Sequence, residues 1–234
     1  MKDQYFGDVN DFRKYGLLRA IATASLRSLG ICWMLTPADG RTDGRHLGYL
    51  KQPKKYRRFD PELFDWLVDV VDRENDRRTA RIESTFLLGS AVFHSALVPD
   101  NPGDRQRWLA QCSNAFRDCD LVFFDPDNGL ERSIAYGRRN SCKFLYWTEV
   151  RDAFNSGASV LVYQHFPREI RQSFIARLAS RLKAETGADA AFSFRTPHVV
   201  FLLTAQERHL AAFRAVVEVL AKVWPDTEIA ACEH

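Results

Sequence analysis

Apolar residues recur at helical spacing over residues 11–29, where Phe12, Leu17, Leu18, Ile21, Leu26 and Leu29 fall on one side. Asn10 or Asp11 can cap the start of this helix, and Gly30 predicts its stop. Ile31-Cys32-Trp33-Met34-Leu35 is then an apolar run of strand length, closed by Thr36-Pro37. The Asp- and Gly-rich stretch 38–48 predicts a loop. Asp60-Pro61-Glu62 supplies a cap, a first-turn proline and an acid at the positive end of a helix that carries Leu63, Phe64, Trp66, Leu67, Val70 and Val71. Residues 91–94 predict a short strand, and 104–116 a helix with Trp108, Leu109, Cys112 and Phe116 on one side. Leu121-Val122-Phe123-Phe124 is apolar on both faces, as a strand in the middle of a covered sheet must be. A helix over about 148–155, a buried strand over 159–163 and a long amphipathic helix over 168–185 follow. Strands at 191–194 and 199–203 and a last helix at 205–222 complete the pattern.

Strands separated by helices imply parallel pairing through crossovers. The last two strands are joined by only Arg195-Thr196-Pro197-His198, too short for a crossover, so they must pair antiparallel. The expected fold is α/β: a doubly wound, mostly parallel sheet with helices on both faces and an antiparallel strand near the C-terminus. That is a Rossmann-like arrangement that fits class I methyltransferases, with other doubly wound folds also open. The length, 234 residues, suits one domain over 1–234, with a basic helical or loop insertion at about 45–85.

The chain is 46% hydrophobic and 27% charged, which excludes a disordered tail or a disulfide mini-protein. No apolar run approaches the ~18–20 residues of a membrane helix, and no apolar signal segment follows Met1-Lys2-Asp3-Gln4-Tyr5, so a cytoplasmic protein without a membrane partner is expected. The five cysteines are odd in number and none are spaced C-x-x-C, which fits reduced thiols rather than zinc or disulfides. A net charge of +3 is too small to argue for nucleic acid from the total. Lys51, Lys54, Lys55, Arg57 and Arg58 nevertheless cluster around Tyr56, either along a phosphate backbone or as a solvated loop. Arg77, Arg78 and Arg81 are diluted by Asp72, Glu74 and Asp76 and read as a solvated face.

Ligands of open parallel sheets bind beyond the carboxyl ends of the strands. That rule selects three groups: Thr36, Asp39, Gly40, Asp43 and Gly44; Asp125, Asp127 and Asn128; and Gln164 and His165. In Asp125-Pro126-Asp127-Asn128-Gly129 the proline sets a rigid turn and the glycine admits close approach. Its carboxylates and amide can hold a substrate amine or base edge, can hold Mg²⁺ through Asp125 and Asp127, or can simply end the strand as an Asx turn. Asp39-Gly40-Arg41-Thr42-Asp43-Gly44 can bond ribose hydroxyls, although it is not G-x-G-x-x-G, or can be a plain Asp-Gly turn. His165 is either an acid–base group or a hydrogen-bonded structural histidine. The aromatic and polar segment 5–15 either folds over the sheet mouth, with Tyr5 or Phe6 stacking on a flat ligand and Lys14 supplying charge, or is a helix cap with an aromatic staple.

Residues 10–18, with Lys14-Tyr15 and the leucines after them, resemble the opening helix of bacterial methyltransferases that act on adenine N6 in ribosomal RNA, and also the partner proteins of three-cysteine-motif systems. The strand and loop from Trp33 to Gly44 are comparable in position. Asp125-Pro126-Asp127-Asn128 stands where amino-methyltransferases carry an acidic or Asn residue, two prolines and an aromatic. The resemblance implies S-adenosylmethionine as cofactor and an amine nitrogen as acceptor. Here the second proline is Asp127 and the aromatic is Asn128, so the stacking on a flipped base that the family uses has no counterpart in this motif. Tyr5-Phe6-Gly7-Asp8 together with residues 125–131 is similar to a family of bacterial proteins of unassigned function.

The leading expectation is an S-adenosylmethionine-dependent methyltransferase acting on an amine nitrogen, with nucleic acid as the partner class. Asp125, Asp127, Asn128 and His165 are its catalytic candidates, and Thr36, Asp39, Gly40 and Asp43 its cofactor candidates. Tyr5, Phe6, Lys14, Lys54, Lys55, Arg57 and Arg58 are the substrate-binding candidates. One alternative is a Mg²⁺-dependent nuclease or nucleotide hydrolase built on Asp125, Asp127 and Glu131. Another is a binding module on the same fold without catalysis.

Overall fold

The structure, a computed structural model, describes residues 1–23, 28–37, 44 and 46–234. Asp39, Gly40 and Asp43 lie outside the described residues. Seven strands form one sheet in the order β2-β1-β3-β4-β6-β5-β7, with β1 Leu29–Cys32, β2 Val92–His94, β3 Leu121–Phe124, β4 Ser159–His165, β5 Ala191–Arg195, β6 Val199–Thr204 and β7 Ala230–Glu233. β2, β1, β3 and β4 pair parallel, whereas β4 with β6, β6 with β5, and β5 with β7 pair antiparallel. The sheet is therefore mixed, where the sequence led us to expect a mostly parallel one. The short β5–β6 connection forces the reversal. Because β6 inserts between β4 and β5, one reversed strand makes two antiparallel pairings, and β7, which no periodicity marked, adds a third.

The helices are α1 Val9–Ala22, α2 Pro53–Tyr56, α3 Pro61–Leu67, α4 Ala80–Glu83, α5 Pro102–Ala115, α6 Trp147–Asn155, α7 Arg171–Thr186 and α8 Leu210–Val223. They divide between the two sheet faces. Ile31, Phe123, Leu161 and Phe201 pack with α1, α3 and α8, while Val122, Phe124, Val160 and Leu202 pack with α5, α6 and α7. Residues after α3 continue in a wider π-helical turn, Val68–Arg73.

α1 is shorter than the pattern predicted, and Leu29 belongs to β1. Asp8, not Asn10 or Asp11, caps it: its carboxylate accepts from the Asn10 and Asp11 amides at 2.8 and 3.0 Å. The helix is buried nearly all round, because the β1–β2 connection wraps its outer side. Phe12 meets Tyr49, Tyr56, Phe64 and Trp224 there. A Cβ at Gly16 would lie 2.3 Å from the Trp224 ring, so only glycine lets the two elements approach this closely. The insertion expected near 45–85 thus shares the core of the sheet domain; Tyr49, Phe59, Leu63, Val70 and Ile82 are all buried in it. Among the described residues no helix is long and apolar enough to cross a membrane.

Candidate functional site at the carboxyl edge of the sheet

Cys32 of β1 pairs with Phe124 of β3, and Phe124 pairs with Val162 of β4. β1 and β3 end level, and Tyr163, Gln164 and His165 run on beyond them as a wall. In front of that wall lies a cavity of about 240 Å³, with Lys14, Asp11, Asp125, Tyr163 and His165 among its lining.

The centre of the site is a charge cluster between α1 and β3. The Lys14 ammonium contacts Asp11 Oδ1 at 2.6 Å and Asp125 Oδ2 at 2.7 Å, with all three side chains buried. Its Nζ also stands 5.5–5.6 Å from the ring centres of Tyr15, Trp33 and Tyr163. The two carboxylates raise the Lys14 pKa above its ordinary value, outweighing the desolvation that would lower it. Burial pushes Asp11 up to about 6, against the pull of Lys14. Asp11 Oδ2 accepts from the Gly7 amide at 3.1 Å and from the Tyr15 hydroxyl at 3.2 Å.

Beside this cluster is an amine cradle. The Met1 amino group donates to the main-chain carbonyls of Trp33 (3.2 Å), Met34 (3.0 Å) and Asp125 (3.0 Å). Met34 is left-handed at φ 45°, and its carbonyl and that of Trp33 both reach the same nitrogen. Burial lowers the amine pKa, opposed by Asp125 and Asp127. Thr36 donates its amide to the Met1 carbonyl at 3.0 Å, and its buried Oγ1 has no hydrogen-bond partner. Asn10 Oδ1, in a side chain that lines the cavity, is also buried and unpartnered.

Gln164 and Gly129 fix the turn after β3. Gln164 Oε1 accepts from the Leu130 amide at 2.8 Å, and Gly129 has φ 88°. A Cβ at Gly129 would fall 2.4 Å from Gln164 Oε1, so the turn requires glycine on both grounds. Asp127 pairs with Lys2 at 2.9 Å. His165 stands on an exposed part of the wall, its ring edge-on to Tyr163 at 5.0 Å and bonded to the Asp127 carbonyl. Crowding by the surrounding protein lowers its pKa, against the opposing pull of Asp125 and Asp127.

The structure brings together Asp125, Asp127, His165, Tyr5, Lys14 and the Thr36 region. Asn128 lines an adjoining recess. It separates others. Phe6 is fully buried against Tyr15 and Trp66 and cannot stack on a ligand. Lys14 spends its charge on Asp11 and Asp125 rather than presenting it to substrate. Glu131 faces Arg181 at 4.0 Å. The Asp125 and Asp127 carboxylates are bound by Lys14 and Lys2, which a divalent ion would have to displace; among the described residues no three His, Cys, Asp or Glu gather in a ligand cluster. In the basic run, Arg57 chelates Asp65, Lys55 lies over Tyr56 and Arg58 over Phe59, while Lys54 is exposed. This is a solvated helix face with Tyr56 and Phe59 turned inward.

Met1, Lys2, Asp8, Asp11 and Tyr163 were not anticipated at the site. One signal was available: Asp11 and Lys14 stand one helical turn apart inside an otherwise apolar pattern, where an ion pair is expected to share one face.

No known family matches the chain, and no curated protein matches it. Among solved structures, the crystal structure of protein LPL1258 from Legionella pneumophila strain Philadelphia 1, of family DUF519, is similar at 9% identity and a TM-score of 0.45, over 98% of this chain and 96% of that one.

Proposed function

We propose that this protein is a class I methyltransferase-like enzyme that uses S-adenosylmethionine to methylate an amine nitrogen carried on nucleic acid. The observation that carries the reading is the amine cradle: three carbonyls from the ends of β1 and β3 converge on one amino group beside Asp125. The parallel strands β2-β1-β3-β4, followed by antiparallel pairings through β6, β5 and β7, are compatible with it.

The residues fit the cofactor's polar groups. The cradle suits an α-ammonium, and the unpartnered Asn10 Oδ1 and Thr36 Oγ1 can accept from an amine or hydroxyl. When bound, S-adenosylmethionine supplies an electrophilic methyl group. Met1 holds the cradle in this structure, so a ligand ammonium at that position displaces it. Lys14 fixes the Asp125 carboxylate through Oδ2, and that fixed group orients an acceptor N–H. His165, neutral near pH 7 because its pKa is lowered, takes the proton the nitrogen sheds. Positioning supplies most of the rate, as in-line transfer requires.

One observation favours a non-catalytic reading: Asp125 and Asp127 each already hold a lysine, as structural staples would. Calorimetric titration with S-adenosylmethionine and S-adenosylhomocysteine, with Mg²⁺ and with chelator, separates the readings. The enzyme reading expects metal-independent binding that weakens about fivefold in Asn10→Ala, the loss of one hydrogen bond. A folded protein that binds neither compound refutes it.

A further inference from the structure

Beyond Asp127 the carboxyl edge opens into a recess of about 750 Å³ that shares Tyr5, Asp127 and His165 with the first cavity. Its walls carry three cations, Lys2, Arg132 and Lys143, and one carboxylate, Asp127. Lys2 pairs with Asp127 at 2.9 Å, and Lys143 stands 4.0 Å from the same carboxylate. Positive charge is in excess, inside a hollow that focuses its field. Asn128 and Ser133 add neutral donors.

The cations stand on a pinned backbone. The Asn128 amide donates to the Lys143 carbonyl at 2.8 Å, Leu145 to Gly129 at 3.0 Å and Glu131 to Leu145 at 2.8 Å. Fully buried Arg105 grips the same loop, donating to the carbonyls of Ser141 at 3.1 Å and Phe144 at 2.7 Å while chelating Glu149 at 2.6 and 2.9 Å. A pinned backbone lets these side chains make charge-assisted hydrogen bonds with little ordering of the loop on binding.

We infer that this recess is a phosphate subsite, formed by Arg132, Lys143 and Asn128, that holds a phosphate of the methyl acceptor next to Asp125. The word acceptor rests on the methyltransferase reading; the phosphate affinity does not, and it is measured without S-adenosylmethionine, so either can fail alone. The phosphate can be a diester in a nucleic-acid backbone or a monoester on a nucleotide.

The probes are a short fluorescein-labelled single-stranded RNA, followed by anisotropy across a salt series, with adenosine monophosphate and inorganic phosphate as competitors. Arg132→Glu with Lys143→Glu is expected to weaken RNA binding about tenfold or more and to flatten the log–log salt slope by about 1.4, two contacts at about 0.7 each. Arg132→Gln with Lys143→Gln gives a smaller loss in the same direction and guards against misfolding, checked by thermal unfolding. Lys51→Glu with Lys54→Glu, the same charge change elsewhere, shifts affinity less than about twofold. Competition by the monophosphate that is lost in Arg132→Gln/Lys143→Gln identifies a monoester; RNA binding sensitive to that variant without such competition identifies the backbone. No RNA or monophosphate binding by wild type, or equal losses from both charge reversals, overturns the subsite.

Discussion

Lys14→Met removes the ammonium and keeps the side-chain length. Asp11 and Asp125 then face each other as buried side chains, each having lost a contact of 2.6–2.7 Å. Breaking a buried ion pair from one side costs about 3–5 kcal/mol. Protonation caps the loss. A carboxyl with a pKa near 6 is neutralised at pH 7 for about 1.4 kcal/mol, and Asp11 already sits at about 6 with Lys14 present. Asp11 therefore takes a proton readily, and most of the remaining cost falls on Asp125. The expected loss at pH 7 is about 3–5 kcal/mol, a large part of the 5–15 kcal/mol typical of a domain. Its pH dependence has a fixed sign. Without Lys14 to pull it down, the folded-state pKa of Asp11 rises above its wild-type value of about 6, so the folded variant binds more protons than folded wild type between those two values. The deficit is complete above the raised value and shrinks as pH falls through it. Urea unfolding of wild type and variant at about pH 7 and about pH 5 reads both quantities. Lys14→Met/Asp125→Asn should regain stability over the single variant and keeps the test usable if that one does not fold. A single variant within about 1 kcal/mol of wild type at pH 7 refutes the reasoning. So does a deficit that is the same at both pH values.

Two other outcomes follow from the same geometry. Arg105→Met leaves Glu149 buried without its partner and should cost about 3–5 kcal/mol in denaturant unfolding; adding Glu149→Met should recover much of that, and a double variant no better than the single contradicts the pairing. His165 has its pKa held below 6.5, so methyl transfer should fall only as pH drops through that lowered value, and His165→Asn should flatten this acid limb in a pH–rate profile.

Most of the elements were legible because their apolar periodicity reflects burial. Leu121–Phe124 is the clearest case, since a strand covered on both faces has no polar position to blur the pattern. The reversal of β6 was legible from the shortness of its connection to β5. β7 was not, because its residues are partly exposed and it pairs only at the sheet edge. Asp125, Asp127 and His165, which line one cavity, were singled out through the rule that ligands meet strand ends. Phe6 was misread because an aromatic beside a glycine looks the same whether it covers a ligand or packs beneath Trp66. The cradle was invisible, since it is made of backbone carbonyls and of Met34 turned left-handed. Arg132 and Lys143 were passed over for the denser run at 51–58; a linear count of charge does not register which cations line a hollow.

The protein has two methionines: Met34 supplies one carbonyl of the cradle and Met1 the amino group that fills it. Each carries a methyl group that reports directly on it. The most direct test is a methyl NMR titration of [¹³C-methyl]methionine-labelled protein with S-adenosylhomocysteine. Binding at the cradle displaces Met1 and moves both resonances, with saturation. Two resonances that stay in place at millimolar ligand, in a protein whose spectrum is folded, contradict a cofactor site at the ends of β1 and β3.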